Sequence, residues 1–126
     1  MNTVVVLIYV LVGVINVLPI VGVISVARLS SLYGVSVESP DLALLLQHRA
    51  VLFGLLGGLL ISAAWTPSVR TPAALAGIIS MLSFCVLTVL LNVANPALVR
   101  IAWIDVVAVV LLAIGVTLHR VHTTAA

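Results

Sequence analysis

Residues 40–65 read PDLALLLQHRAVLFGLLGGLLISAAW. The stretch is apolar for longer than the roughly 20 residues an α-helix needs to cross a ~30 Å hydrocarbon core. It opens on Ser39-Pro40-Asp41. A serine at the N-cap accepts a hydrogen bond from an orphan helix amide, and proline at the first helical position gives up an N–H that would be unpaired anyway. Aspartate in the first turn faces the positive end of the helix dipole. Pro67 follows Trp65 and helps stop the helix. The segment therefore reads as a membrane-crossing helix with defined ends.

Three further apolar segments lie around it, at about 3–26, 72–91 and 96–118. Thr71-Pro72 and Asn95-Pro96 repeat the pattern of a capping side chain before a proline. Backbone amides in lipid have no water to bond, so spanning segments close their hydrogen bonds internally, as helices. A β-barrel is disfavoured by segment length and by the lack of alternation along each segment. The predicted fold class is all-α, a four-helix transmembrane bundle forming one domain over 1–126.

Composition supports this. Hydrophobic residues make up 64% of the chain and charged residues 6%, against about a quarter charged in a soluble domain. The expected surroundings are a lipid bilayer. A net charge of +2, carried by scattered arginines without lysine, is too small for a nucleic-acid footprint. Cys85 is the single cysteine and forms no intrachain disulfide.

Residues 4–27 can also be read as a signal peptide cleaved after Ser25-Val26-Ala27. They lack a basic start, and the apolar stretch exceeds the usual ~7–15 residues, so a retained helix is the better reading. Residues 27–39, ARLSSLYGVSVES, form the longest connection and are expected at the interface, with Tyr33 at headgroup level. The other two connections are tight, which makes the second, third and fourth helices antiparallel neighbours. An even number of spans puts both termini on one side, with Arg70, His119, Arg120 and His122. The opposite side carries Arg28, Glu38 and Asp41. Two arginines against one favour cytoplasmic termini.

The polar side chains inside the apolar segments are Asn16, His48, Arg49, Ser80, Ser83, Thr88, Arg100 and Asp105. At ~1.5 Å per residue, His48 and Arg49 lie roughly 12–14 Å from the start of their helix and Asp105 roughly 13 Å from the start of the last. Asn16 lies roughly 18 Å in from Arg28, and Ser83 roughly 12 Å in from Leu91. Asn16, His48, Arg49, Ser83 and Asp105 thus fall in one layer, nearer the side away from the termini. A lone charge at that depth is costly, so Arg49 and Asp105 are the expected ion pair. The layer then either clips the helices together or lines a small pocket for a polar headgroup, an ion or a proton.

His48 has the pKa range for proton transfer but no second ligand at metal spacing. His119 and His122, three residues apart, read as interfacial residues rather than a metal site. Arg100, beside Trp103, is placed to snorkel to the interface. In the second helix Ala50, Gly54, Gly58 and Ser62 recur every four residues, a small-xxx-small pattern that lets helices approach closely, either within the bundle or across a homodimer. Pro19 is expected to kink the first helix, with Asn16 close enough to satisfy a freed backbone group. There is no GxGxxG, Walker A, CxxC or HExxH motif, and no cofactor, metal site or catalytic set is nominated.

Leu32-Tyr33-Gly34, then Gln47-His48-Arg49-Ala50-Val51-Leu52-Phe53-Gly54-Leu55-Leu56-Gly57-Gly58, and Asp105 in the last helix resemble small bacterial four-helix membrane proteins of DoxX-like type. The resemblance implies a four-helix bundle in the inner membrane and no established activity. Some proteins of that type carry the label phosphopantetheine adenylyltransferase. That reaction needs a His-containing nucleotide-binding motif on an α/β fold, and this sequence has neither.

Three functions follow as expectations. The first is an accessory or structural subunit of a membrane assembly, with a membrane-protein partner or a second copy. The second is a small transporter or binding protein for a lipophilic or weakly polar ligand, using the polar layer and losing function in Asp105→Asn. The third is a membrane enzyme or redox helper with His48 as acid and base.

Overall fold

A computed structural model describes residues 2–124, apart from the side chains of His122 and Thr123. The expected His119/His122 pair therefore falls partly outside the described residues. The fold is all-α. Helix α1 spans Thr3–Val17 and runs into a 3-10 turn at Leu18–Val23; α2 spans Val26–Tyr33 and α3 spans Pro40–Trp65. A second 3-10 turn at Pro67–Val69 leads into α4, Arg70–Leu90, and α5 spans Pro96–Thr124. Thr3–Val23, Pro40–Trp65, Pro67–Leu90 and Pro96–Val121 are long and apolar enough to cross a membrane, the build of a multi-pass membrane protein.

The helix starts follow local chemistry. The Ser39 hydroxyl accepts from the Leu42 amide at 3.2 Å, and the Asn95 side chain accepts from the Ala97 amide at 2.9 Å. Thr71 does not play the capping role expected of it. Pro67 begins a 3-10 turn that continues into α4 at Arg70, with Val69 at the cap position and no side-chain cap. Pro72 then sits in the first turn of α4, where a missing N–H is harmless. In the first span the α-helix ends at Val17, because Pro19 cannot donate to the Ile15 carbonyl, and the chain tightens into 3-10 form.

The connection at 27–39 also departs from expectation. It contains α2, capped by Ser25, and Tyr33 is packed into the bundle, 4% exposed. Leu29 and Tyr33, four apart, share one helical face and fold onto the bundle with Ala50. Helix α2 ends at Gly34, whose φ of 61° is left-handed and favours glycine. The Asn95 amide donates to the carbonyls of Tyr33 and Gly34, both at 3.0 Å. One side chain thus starts α5 and fastens the end of α2. Asn95→Ala is expected to lower stability by about 1–2 kcal/mol. Asn95→Asp, which keeps the acceptor and loses both donors, should fall between it and wild type in an SDS unfolding titration from mild detergent.

The four spans form a ring in the order α1, α3, α4, α5, with α5 closing back on α1. The main core fills the half that bears the chain termini. There Tyr9 and Val12 of α1 pack with Leu60 of α3, Met81 of α4 and Leu112 of α5. The tightest seam joins α1 and α3. A Cβ placed on Gly57 would lie 2.6 Å from the Gly13 carbonyl oxygen, and one on Gly13 would lie 2.9 Å from the Gly57 carbonyl oxygen. The two backbones meet glycine to glycine.

This corrects the four-residue stripe expected in α3. Ala50 is buried and Gly54 packs against Ile20, but Gly58 has nothing within 4 Å and Ser62 is exposed. Four residues turn a helix by ~400°, so a four-residue stripe drifts off a straight contact line by ~40° per step. Seven residues nearly close two turns, and Ala50, Gly57 and Ala64 are buried along that line, with Ala63 buried beside it.

Candidate functional site

The half of the bundle away from the termini holds buried polar groups beside the smaller core of Leu29, Tyr33 and Ala50. Asn16 sits one residue before α1 ends and is 4% exposed. Its amide donates to the Val12 carbonyl at 2.9 Å and lies 3.9 Å from the Met81 sulfur. It bonds one turn back, not to the Ile15 carbonyl that Pro19 frees. Tyr33 is brought in by α2, Arg49 by α3 and Asp105 by α5. Asn16, Tyr33, Arg49 and Asp105 line one cavity of about 120 Å³. Its remaining walls include Ile15, Pro19, Phe53 and Ile104.

Arg49 is the centre of this arrangement. Its guanidinium carbon lies 4.8 Å from the ring centre of Phe84, 5.0 Å from Phe53 and 5.5 Å from Tyr33. Both phenylalanines of the chain and one of its two tyrosines thus surround one cation. Aromatic faces attract a cation electrostatically, and more strongly where water is excluded. Rings cannot accept an N–H as a carbonyl or carboxylate does, and the buried Arg49 Nε has no hydrogen-bond partner. Asp105 is 9% exposed and hydrogen-bonds to no other described residue. It lines the cavity with Arg49 without closing to ion-pair distance, so the expected direct pair does not form among the described residues. The two charges face one cavity and act on each other across it.

On the other side of Arg49 a second, open groove of about 340 Å³ runs between α3 and α4. Leu52, Leu56, Ser83, Phe84 and Leu87 line it, and Arg49 and Phe53 belong to both spaces. Ser83 is exposed there and donates to the Ser80 carbonyl at 2.7 Å. His48, beside Arg49 in sequence, is turned ~100° around α3. It is exposed and lines neither space.

The expected layer therefore divides. Asn16, Arg49 and Asp105 share the cavity, Ser83 lies on the groove, and His48 is outside both. Tyr33 and the two phenylalanines were not expected in the site. Phe53 was legible as the residue four after Arg49 on the same helical face; the other two arrive by tertiary packing. Burial pushes the Tyr33 phenol above its ordinary pKa, opposed by the Arg49 charge, so Tyr33 serves as a neutral hydroxyl. Among the described residues no three His, Cys, Asp or Glu side chains come together as metal ligands. What the site offers is a guanidinium with an unused donor, a carboxylate across from it, two neutral hydrogen-bonding groups and apolar walls. No protein-family model matches this chain, and no curated protein or solved structure is found similar to it.

Proposed function

We propose that this chain is a membrane binding protein for a small lipophilic molecule with a polar head, held at Arg49 between the cavity and the α3–α4 groove. The observation that carries this reading is the buried Arg49 Nε, left without an acceptor inside a cage of three rings. A cation in the hydrocarbon region costs several kcal/mol, and an isolated structural role is met more cheaply by leucine. A ligand acceptor gives the charge a use. With this reading go placement in a bacterial inner membrane, with cytoplasmic termini, and kinship to DoxX-like proteins.

The test is a native mass spectrum of the protein purified in mild detergent. A small-molecule adduct is expected on wild type and absent from Arg49→Leu, which should elute from size exclusion unchanged. An adduct equal in both proteins, or absent from both, would overturn the reading. A second reading, an accessory subunit, is favoured by the outward Gly58 and Ser62, which leave room for a partner helix. It predicts a second polypeptide at constant ratio in the same spectrum.

A further inference from the structure

The depth of Arg49 restricts the head it can receive. Arg49 lies about 14 Å along α3 from Pro40, inside the hydrocarbon rather than among headgroups. A phosphodiester stays ionised at ordinary pH, and carrying its charge to that depth is strongly unfavourable. A carboxylic acid, with a pKa of about 4–5 in water, becomes neutral more readily as its surroundings become less polar. It moves through lipid as the acid and ionises where a cation receives it. Its two oxygens then match the fork of a guanidinium.

Charge restricts it further. The cavity has one cation, Arg49, and one carboxylate, Asp105, while Tyr33 is its other titratable group and stays neutral; from α4 the Cys85 thiol also acts on Asp105, and it donates to the Ala102 carbonyl as the neutral S–H. Arg28, Arg70, Arg100 and Arg120 line neither space. A bound anion would leave two negative charges against one positive in a low-dielectric site, unless one of them takes a proton. The incoming acid brings that proton. On the opposite side of Arg49, Leu52, Leu56 and Leu87 give the groove an apolar wall suited to an alkyl chain.

Resting on the binding reading above, we propose that the ligand is a long-chain carboxylic acid whose head pairs with Arg49, whose chain lies in the α3–α4 groove, and whose proton passes to Asp105. The O–H bond of the acid breaks and one forms on Asp105. The ligand leaves as the acid when the same proton returns. The site is neutral before and after, as Arg49⁺/Asp105⁻ and then Arg49⁺/ligand⁻ with protonated Asp105. This makes Asp105→Asn a variant that binds without exchanging a proton.

The experiment is a scintillation-proximity assay with tritiated palmitic acid on the detergent-purified protein. Unlabelled palmitic acid should displace the label, while hexadecanol and dioleoyl phosphatidylglycerol should do so at least tenfold less well. Arg49→Leu should lose at least tenfold in affinity. Between pH 8 and 9.5 the free ligand is the anion, and the wild type must take up one proton to hold it. Its affinity should therefore fall about tenfold per pH unit, whereas Asp105→Asn should be nearly flat and bind at least as tightly as wild type at pH 9. Equal displacement by hexadecanol would mean that the carboxylate is not read. Stronger displacement by phosphatidylglycerol would make the ligand a phospholipid. A pH slope retained in Asp105→Asn would remove the proton exchange, and each of these results overturns the proposal. A native adduct that palmitic acid cannot displace would end this inference and leave the binding reading standing; no adduct at all would end both.

Discussion

Gly57→Leu is expected to lose more than about 3 kcal/mol of stability, and Gly58→Leu, one residue along the same helix, to change it by less than about 1 kcal/mol. At position 57 even the first carbon of a side chain would meet the Gly13 carbonyl oxygen at 2.6 Å and the Val17 amide nitrogen at 2.8 Å. Both are backbone atoms of α1, so no rotamer change relieves the clash and the helices must separate. Separation undoes the core where Tyr9 and Val12 meet Leu60 and Ala64. Within lipid no hydrophobic drive restores it, because helix association there depends on close packing. At position 58 there is open space within 4 Å. Leucine there also removes a helix-interior glycine, which on its own is worth about 1 kcal/mol in favour of the helix. An SDS unfolding titration of the two variants checks the pair. Equal loss at both positions, or none at 57, would refute the glycine seam. If Gly58→Leu keeps stability but changes the mass of the native species, the exposed face is a contact with another chain.

The same two glycines show how far the sequence could be read. The spans were legible because apolar length in lipid admits little but a helix, and Ser39-Pro40 and Asn95-Pro96 mark starts by chemistry local to them. Residues 40–65 were expected as a helix and form one. Which face of α3 packs was not legible from a repeat of four, since the difference between Gly57 and Gly58 is ~100° of rotation and depends on where Gly13 lies in another helix. Helix α2 was missed because apolar length marked the spans, and its eight residues are too short and too polar to stand out by that measure. Its apolar pair, Leu29 and Tyr33, becomes meaningful only once Ala50 is across from it. In the site, depth along each helix placed Asn16, Arg49 and Asp105 at one level, while rotation put His48 outside. That Phe84 and Tyr33 reach Arg49 from α4 and α2 is a property of the ring of helices and has no counterpart in local sequence.

Arg70→Ala is expected to cost about 3–5 kcal/mol, although sequence alone made Arg70 an ordinary charge at the membrane surface. The side chain is 4% exposed. Its Nε donates to the Ala63 carbonyl at 3.0 Å and a terminal nitrogen donates to the Ala64 carbonyl at 2.7 Å. Both carbonyls belong to the last turn of α3, where no following amide of the helix is available to them. Arg70 supplies the missing donors and sets a positive charge at the negative end of the α3 dipole. Its other terminal nitrogen lies 3.4 Å from His119 Nδ1 of α5, and its own carbonyl accepts the Tyr9 hydroxyl of α1 at 3.0 Å. One residue at the start of α4 therefore binds the other three spans. Alanine would strand two buried carbonyls, each worth about 1–3 kcal/mol when left unpaired. Tyr9→Phe removes one hydrogen bond while keeping the ring, and should cost only about 1 kcal/mol. Arg70→Lys keeps the charge but lacks the fork that reaches two carbonyls at once, and should recover part of the loss. The order wild type, Tyr9→Phe, Arg70→Lys, Arg70→Ala in the SDS titration is the expected result. An Arg70→Lys variant as stable as wild type would show that charge alone matters at this helix end. An Arg70→Ala variant no weaker than Tyr9→Phe would show that the α3 carbonyls find other donors.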